Sequence, residues 1–273
     1  GRVILMFVGY LRSTYEEDLS LILDSDNLFD LELLRQTYEV YPQYCFAAYE
    51  DGKIVGVISA YSFSKHIFIN VIEALDSHKD ILTRLIKLLV QNVSTMNIYV
   101  LIENKLSSYF SAFNFEEHSK FERYIHSGEA VAFNFSNSTA KQVSGENYNE
   151  ISKKIDKEVF LDDREEYIKK DCVFTNSLKL STTSGFMHSY VVNKRYIKIS
   201  PWLMQNESYL DAEKLLRGVL YYRGLKKIFA FIPKDIKEIS ELYESYKFKK
   251  NGDYTLLYLG EKPQLKLENL YAI

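Results

Sequence analysis

The 273-residue chain carries 34 Lys+Arg against 37 Asp+Glu, with 47% hydrophobic residues, 22 tyrosines, one tryptophan and two cysteines. That length and apolar content fill one or two cores, no apolar run nears the roughly 20 residues of a membrane span, and no basic run interleaved with aromatics marks a nucleic-acid binder. The charge is uneven: residues 1–145 hold 12 Lys+Arg and 18 Asp+Glu, the remainder 22 and 19, and an acidic first half mildly favours cationic partners such as amines.

Cys45 and Cys172, each flanked by strand-like sequence, suit buried free thiols of a reducing cytoplasm. His66, His78, His118, His126 and His188 show no metal-ligand spacing with cysteine or carboxylate, so no metal is expected. Val3–Val8 lacks a cleavage site and reads as a first strand, Val3–Leu11, rather than a signal peptide. Thr14 is positioned to cap a helix over Tyr15–Leu23. Asp26–Asp30 breaks it before a second helix, Leu31–Val40, which Pro42 stops. Tyr44–Tyr49 and Ile54–Ser62 form a hairpin about Glu50-Asp51-Gly52-Lys53, a turn that places glycine at positive φ.

His66–Leu75 then reads as a strand and Ile81–Val90 as a Leu-rich helix. Asn97–Ile125 continues with an apolar strand, Asn104 as cap, a helix ending in Tyr109–Phe115, and a further strand. Ser127–Glu146 is Ser-, Asn- and Gly-rich and serves as a connection, with Ala130–Phe135 as an extra strand. Asn147–Lys157 and Asp163–Lys170 read as helices, Asp171–Lys179 and Gly185–Val192 as strands, and Asn193-Lys194-Arg195 as a tight turn into the strand Tyr196–Leu203. The helix Ala212–Leu220 leads to the strand Ile228–Ile232, which Pro233 ends. Asp235 is placed to cap a helix carrying Ile239, Leu242, Tyr243 and Tyr246; Lys249–Asp253 reads as a polar turn and Tyr254–Leu259 as a closing strand. The domain reading is 1–128, a connection 129–146, a second domain 147–262, and a tail 263–273 to which the sequence assigns no role.

The order strand, helix, aromatic-rich helix end and strand occurs twice, in Asn97–Ile125 and in Lys227–Leu259. Each copy comes after a strand and a Leu-rich helix, and a period near half the chain means two copies of one domain. In LYESYKF, Leu242, Tyr243 and Phe248 resemble the Leu-Tyr, spacer, Gly-Phe motif at the end of the GCN5-related N-acetyltransferase (GNAT) fold, with Lys247 in place of the glycine. In the first copy Phe115 matches Phe248 and Asn114 replaces the glycine; asparagine tolerates the left-handed conformation. Asp51-Gly52 and IVGVISAY, with Gly56, resemble the central hairpin of that fold. Glu158–Leu259 is similar to the C-terminal domain of bacterial tandem GNAT proteins of the YitH type, most specifically at Asp163-Arg164 and Pro201-Trp202. The resemblance implies an α/β (α+β) fold of two tandem domains, each a mixed, mostly antiparallel sheet flanked by helices. One parallel pair splays in each: His66–Leu75 with Asn97–Ile102, and Tyr196–Leu203 with Lys227–Ile232.

It further implies acetyl-CoA as co-substrate, held in the splayed cleft with its pyrophosphate on the N–H groups of a glycine-rich loop at a helix start. In the first half that loop falls on Ser77-His78-Lys79-Asp80-Ile81-Leu82. Both glycine positions are gone and Asp80 brings a negative charge, although His78 and Lys79 compensate in part. The cofactor-binding set is Val71, Ile72, His78, Lys79, Asp80, Ile81, Leu82 and Asn104. In the second half Glu207–Ala212 is more acidic still. An alternative for Asp76 and Asp80 is a plain helix cap. Transfer needs a base for the amine proton and an acid for the leaving thiolate. Glu73 is the first base candidate and Glu103 the second, against ordinary strand-end carboxylates. The family's acid tyrosine maps to Phe110, which holds no proton, with Tyr109 one position away, and to Tyr243 in the second half. Trp202 with Pro201 reads as a plug of the second cleft. The expected acceptor is a small-molecule or peptide amine, with chemistry in the first domain, and neither nucleic acid nor membrane as partner. Two other readings remain: a catalytically inactive tandem GNAT-fold scaffold or ligand sensor, and a FemX-like aminoacyltransferase.

Overall fold

The computed structural model describes residues 5–26, 28–129, 143–169, 174 and 176–273. The expected strand Ala130–Phe135, Cys172 and the first two residues of Val3–Leu11 lie outside them. Two compact units emerge. The first is Gly1–His118 with Thr255–Pro263, the second Ser119–Tyr254 with Gln264–Ile273. These boundaries differ from the expected break at residues 129–146. Most of the first copy's closing strand, from Ser119, belongs to unit 2, and the end of the second copy's, from Thr255, belongs to unit 1.

In unit 1 the strands β1 (Met6–Tyr10), β2 (Cys45–Glu50), β3 (Lys53–Ser62), β4 (Ile67–Ala74) and β5 (Ile98–Glu103) lie side by side in that order. The end of β11 (Phe248–Leu259), from Thr255 onward, comes next beside β5. The β2–β3 turn has Asp51 and Gly52 at φ 49° and 79°, the left-handed pair that a two-residue hairpin needs. The expected helix Tyr15–Leu23 divides into α1 (Tyr15–Asp18) and α2 (Ser20–Ser25), meeting at Leu19. Thr14 does not cap the backbone; its hydroxyl donates to Asp18 Oδ2 at 2.8 Å. Asp30 does cap α3 (Leu31–Val40), accepting from Leu33 N at 3.1 Å. The apolar face of α4 (Ile81–Asn92) packs Ile81, Leu82, Leu85, Ile86 and Leu89 on Val55, Ile58, Ile67, Ile69 and Ala74. Cys45 is a buried free thiol, and burial pushes its pKa up to about 12.

Unit 2 places β7 (Leu178–Thr182), β8 (Gly185–Val192), β9 (Tyr196–Met204), β10 (Lys227–Pro233) and β6 (Glu116–His126) in spatial order, then the first part of β11. A short strand, β12 (Leu270–Ala272), pairs with β9. Its helices are α6 (Tyr148–Phe160), α7 (Glu165–Lys169), α8 (Tyr209–Arg223) and α9 (Lys237–Ser245). Lys249–Asp253, expected as a turn, continues β11 without a break. Arg123 of β6 reaches Asn251 Oδ1 at 2.9 Å and the Tyr254 hydroxyl at 2.8 Å. Asp235 is not a cap: it stands at φ 66°, and Ile236 occupies the cap position of α9. In α6 the carboxylate of Asp156 takes Arg164 Nε and Nη2, both at 3.1 Å, a buried bidentate pair with the guanidinium over the Phe160 ring at 3.5 Å. This fixes the Asp163-Arg164 motif as an internal clamp.

The two copies agree in detail where their sequences rhyme. After α5 (Ser108–Ser111), Asn114 stands at φ 64°; after α9, Lys247 stands at φ 69°. In unit 1 the Phe110 and Phe115 rings meet edge-on at 5.1 Å. In unit 2 Tyr243 and Phe248 do the same at 5.0 Å. The left-handed residue turns the chain so that the next aromatic folds back on the helix it has just left.

Candidate active site

In each unit two parallel strands start together and separate. β4 and β5 are in register only from Ile67–Ile98 to Ile69–Val100. β9 and β10 are in register only from Tyr196–Lys227 to Lys198–Phe229. Beyond these points the inner backbone edges turn away from one another, and hydrogen-bonding groups inside a cleft need another partner. Crevices at the carboxyl ends of parallel strands are where ligands settle in open sheets.

In unit 1 the end of β4 supplies the chemistry. The β3–β4 register slips between Ser59–Val71 and Ala60–Ile69, leaving Asn70 as the extra residue. Its side chain donates to Thr37 Oγ1 of α3 at 2.8 Å and accepts from Ser59 Oγ at 2.7 Å. Such a bulge re-aims the side chains beyond it: Ile72 and Ala74 pack toward α4, and Glu73 takes the opposite face. Its Oε1 receives Lys79 Nζ at 3.0 Å and the Ala74 N–H at 3.1 Å, while Lys79 Nζ also donates to Ala74 O at 2.6 Å. Glu73 is only about a quarter exposed, 24%. Burial first, then the hydrogen-bonding carboxyl of Asp26 at the end of α2, raise its pKa to about 7 against the pull of Lys79. A carboxyl that loses its proton near neutrality matches the demand on a general base.

The start of α4 is reached through a 3-10 turn, Asp76–His78. Gly56 lets the helix lie directly on β3: a Cβ there would meet Ile81 Cγ2 at 2.8 Å and Leu85 Cδ1 at 3.2 Å. That contact explains the hairpin glycine. Asp80 holds the cap position with helical angles and no side-chain cap bond, and Asp76 stands fully in solvent, 3.9 Å from Lys79 Nζ. The plain-cap reading of either aspartate is therefore not what the structure shows. The two basic side chains expected at the phosphates are turned to carboxylates: Lys79 to Glu73, and His78 to Glu50 Oε2 at 2.7 Å. Ile81 and Leu82 are core side chains, leaving only their backbone to the cleft. Val71 is buried and Ile72 half-buried along β4.

The other expected residues disperse. Glu103, at the end of β5, is half-buried beside Lys105 at 3.4 Å. Asn104 does not cap; it opens the 3-10 turn Asn104–Leu106, and its Oδ1 accepts from Thr255 Oγ1 at 2.5 Å. Tyr109 is half-buried against the unit 1 core, and Phe110 is wholly inside it. Tyr243 is fully buried in unit 2, and its hydroxyl donates to Tyr271 O at 2.8 Å. Burial drives its pKa well above the ordinary value. It is therefore a core anchor rather than an acid open to a ligand, which corrects its place among the catalytic candidates. Two participants escaped the sequence reading: Asp26, hidden in a helix-breaking run, and Tyr271, in a segment given no role.

No family model matches the chain, and no curated protein matches its sequence. Its fold has clear counterparts among solved structures. A Pyrococcus horikoshii protein assigned to the acetyltransferases matches with TM-score 0.76 at 20% identity, over 98% of this chain and 94% of that one. A GCN5-related N-acetyltransferase from Sphaerobacter thermophilus matches with TM-score 0.55 at 10% identity, over 98% of each chain. A tandem GNAT protein from the clavulanic acid biosynthesis pathway matches with TM-score 0.54 at 10% identity, over 94% of this chain and 99% of that one.

Proposed function

We propose that this chain, which has the fold of the GCN5-related N-acetyltransferases, moves an acetyl group from acetyl-CoA to an amine of a small molecule or peptide, working in unit 1. The observation that carries the reading is the pairing of an open strand divergence, at β4 and β5, with a carboxyl held near neutrality at its edge. The backbone of Val71 and Ile72 and the N–H groups at residues 78–82 are the groups that would hold the donor. They fit it in part: β4 and β5 stop pairing with one another beyond Ile69–Val100 and α4 offers its N-terminus, while the exposed Asp80 opposes a phosphate.

Acetyl-CoA supplies, when bound, an acyl carbon activated by a thiol leaving group. The chain's own contribution is proton handling and position. Glu73, ionised above about pH 7, takes a proton from the acceptor ammonium and so frees the nucleophilic lone pair. Lys79 fixes the carboxylate against the Ala74 backbone. Phe110 brings no proton to the departing sulfur, so water provides it, and turnover is slow. Asp26 beside Glu73 adds a second carboxyl on the acceptor side, which favours a cationic acceptor.

Calorimetric titration with acetyl-CoA, paired with an amine-dependent thiol-release assay, tests the reading. Binding at unit 1 should tighten by about 1 kcal/mol in Asp80→Gly, which removes the opposing charge and frees the backbone. A full chain that takes up no acetyl-CoA, in either form, overturns it.

A further inference from the structure

The same strand divergence in unit 2 is already filled. Residues 264–273 run past α6, where Lys266 N donates to Val159 O at 3.0 Å, and past the end of β9, where Asn269 Nδ2 donates to Asn206 Oδ1 at 2.8 Å. They then enter the cleft as β12. Leu270 and Ala272 pair with Leu203 and Trp202 of β9, and Ile273 N donates to Phe231 O of β10 at 3.1 Å. One short segment thus hydrogen-bonds both separated strands. Leu270 and Ala272 have no exposed surface, and Tyr271 has 4%. The Tyr271 ring packs on Trp202 at 5.1 Å, and its carbonyl takes the Tyr243 hydroxyl. By the repeat, Tyr243 is the counterpart of Phe110 in unit 1.

We propose that β12 is a resident occupant of the acyl-donor channel of unit 2: the chain lays its own strand where an acyl arm would lie, so that unit 2 takes no donor while the segment is in place. The inference rests on the reading that the matching cleft of unit 1 receives the donor. Its physical basis is separate. A donor arm and a peptide strand satisfy a split sheet with the same groups, amide N–H and C=O along an extended chain. An occupant tethered to the chain also competes at high effective concentration. Past the end of β9 lies a polar cavity of about 220 Å³, and the segment itself supplies part of its wall through Lys266 and Asn269.

Trp202 is the sole tryptophan and touches the plug, so its emission reports on this cleft alone. In the full chain, acetyl-CoA should bind with one equivalent while Trp202 emission stays constant. A saturable emission change that tracks acetyl-CoA would overturn the proposal, whereas absence of any binding would sink the unit 1 reading instead. The double variant Leu270→Asp, Ala272→Asp places two carboxylates in the core and should expel the segment. Trp202 emission should then shift to the red, acrylamide quenching should rise several-fold, and S-acetylpantetheine, which lacks the nucleotide that the acidic loop repels, should now alter the emission. An expelled segment with Trp202 blind to S-acetylpantetheine overturns the proposal. If the double variant does not fold, a protease site inserted between the exposed Glu261 and Lys262 allows the folded chain to be cut and the segment diluted away. The same response to S-acetylpantetheine is expected, and its absence counts equally against the idea.

Discussion

The two clefts begin from one design and end in opposite states. Both are made where parallel strands part after three residue pairs. In unit 1 the edge carries Glu73, Lys79 and Asp26; in unit 2 it carries Trp202, Tyr243 and an inserted strand. The difference teaches that a split sheet is unfinished: its polar edges must be satisfied, either by something that comes and goes or by the chain itself. A titratable group at the edge suits the first outcome, and fully buried aromatics suit the second.

The comparison breaks most easily at Glu73. Replacement by Gln keeps the shape and removes the base, and turnover should fall about 10²–10⁴-fold. The rising limb of the rate–pH profile near pH 7 should vanish with it. Stability offers an independent check. A carboxyl whose pKa is raised in the folded state, from 4.5 to about 7, binds its proton more tightly folded than unfolded. Its contribution is therefore complete below pH 4.5 and lost as pH rises to about 7, on the order of 1–3 kcal/mol. Denaturant titrations at pH 5 and pH 8 should show that slope in the parent and a flatter one in Glu73→Gln. Unchanged turnover in the variant would move the chemistry away from this cleft.

Tyr243→Phe probes the closed side. The substitution leaves Tyr271 O buried without its donor, which should cost about 1–3 kcal/mol of unit 2 stability. Acetyl transfer should be nearly unaffected, since nothing at Glu73 depends on it. A variant that unfolds normally yet loses turnover would place the active site in unit 2 instead.

Much of this contrast was legible in the sequence, and the exceptions have a common cause. Leu31–Val40 and the Asp51-Gly52 hairpin are dictated by local periodicity and turn chemistry, while both parting strand pairs are implied by the resemblance of the repeated segments to the GNAT fold. Lys249–Asp253 was not legible as strand, because KKNGD carries every local mark of a turn and is held extended only by its long-range place beside β6. Asp26 and Tyr271 were hidden for the same reason: the contact partner of each lies far along the chain, Glu73 for one and Trp202 with Tyr243 for the other. Gly56 was legible as a motif residue, but its purpose, the close seat of Ile81, needed the packing.

The smallest effect concerns the two residues that stand where the fold's motif has glycine. Asn114 and Lys247 both adopt left-handed angles, φ 64° and 69°, each just after a helix and just before a buried Phe. The left-handed conformation costs an ordinary L-residue roughly 1–2 kcal/mol, while glycine loses about 0.5–1 kcal/mol more chain entropy on folding. Asparagine escapes most of the first term through its short polar side chain; lysine does not. Lys247→Gly should therefore stabilise unit 2 by up to about 1 kcal/mol, and Asn114→Gly should leave unit 1 within a few tenths of a kcal/mol of the parent. Chemical denaturation of the two variants in parallel measures the difference. Equal gains at both sites would mean that backbone strain is not what separates them, and that the Lys247 side chain contributes a contact of its own.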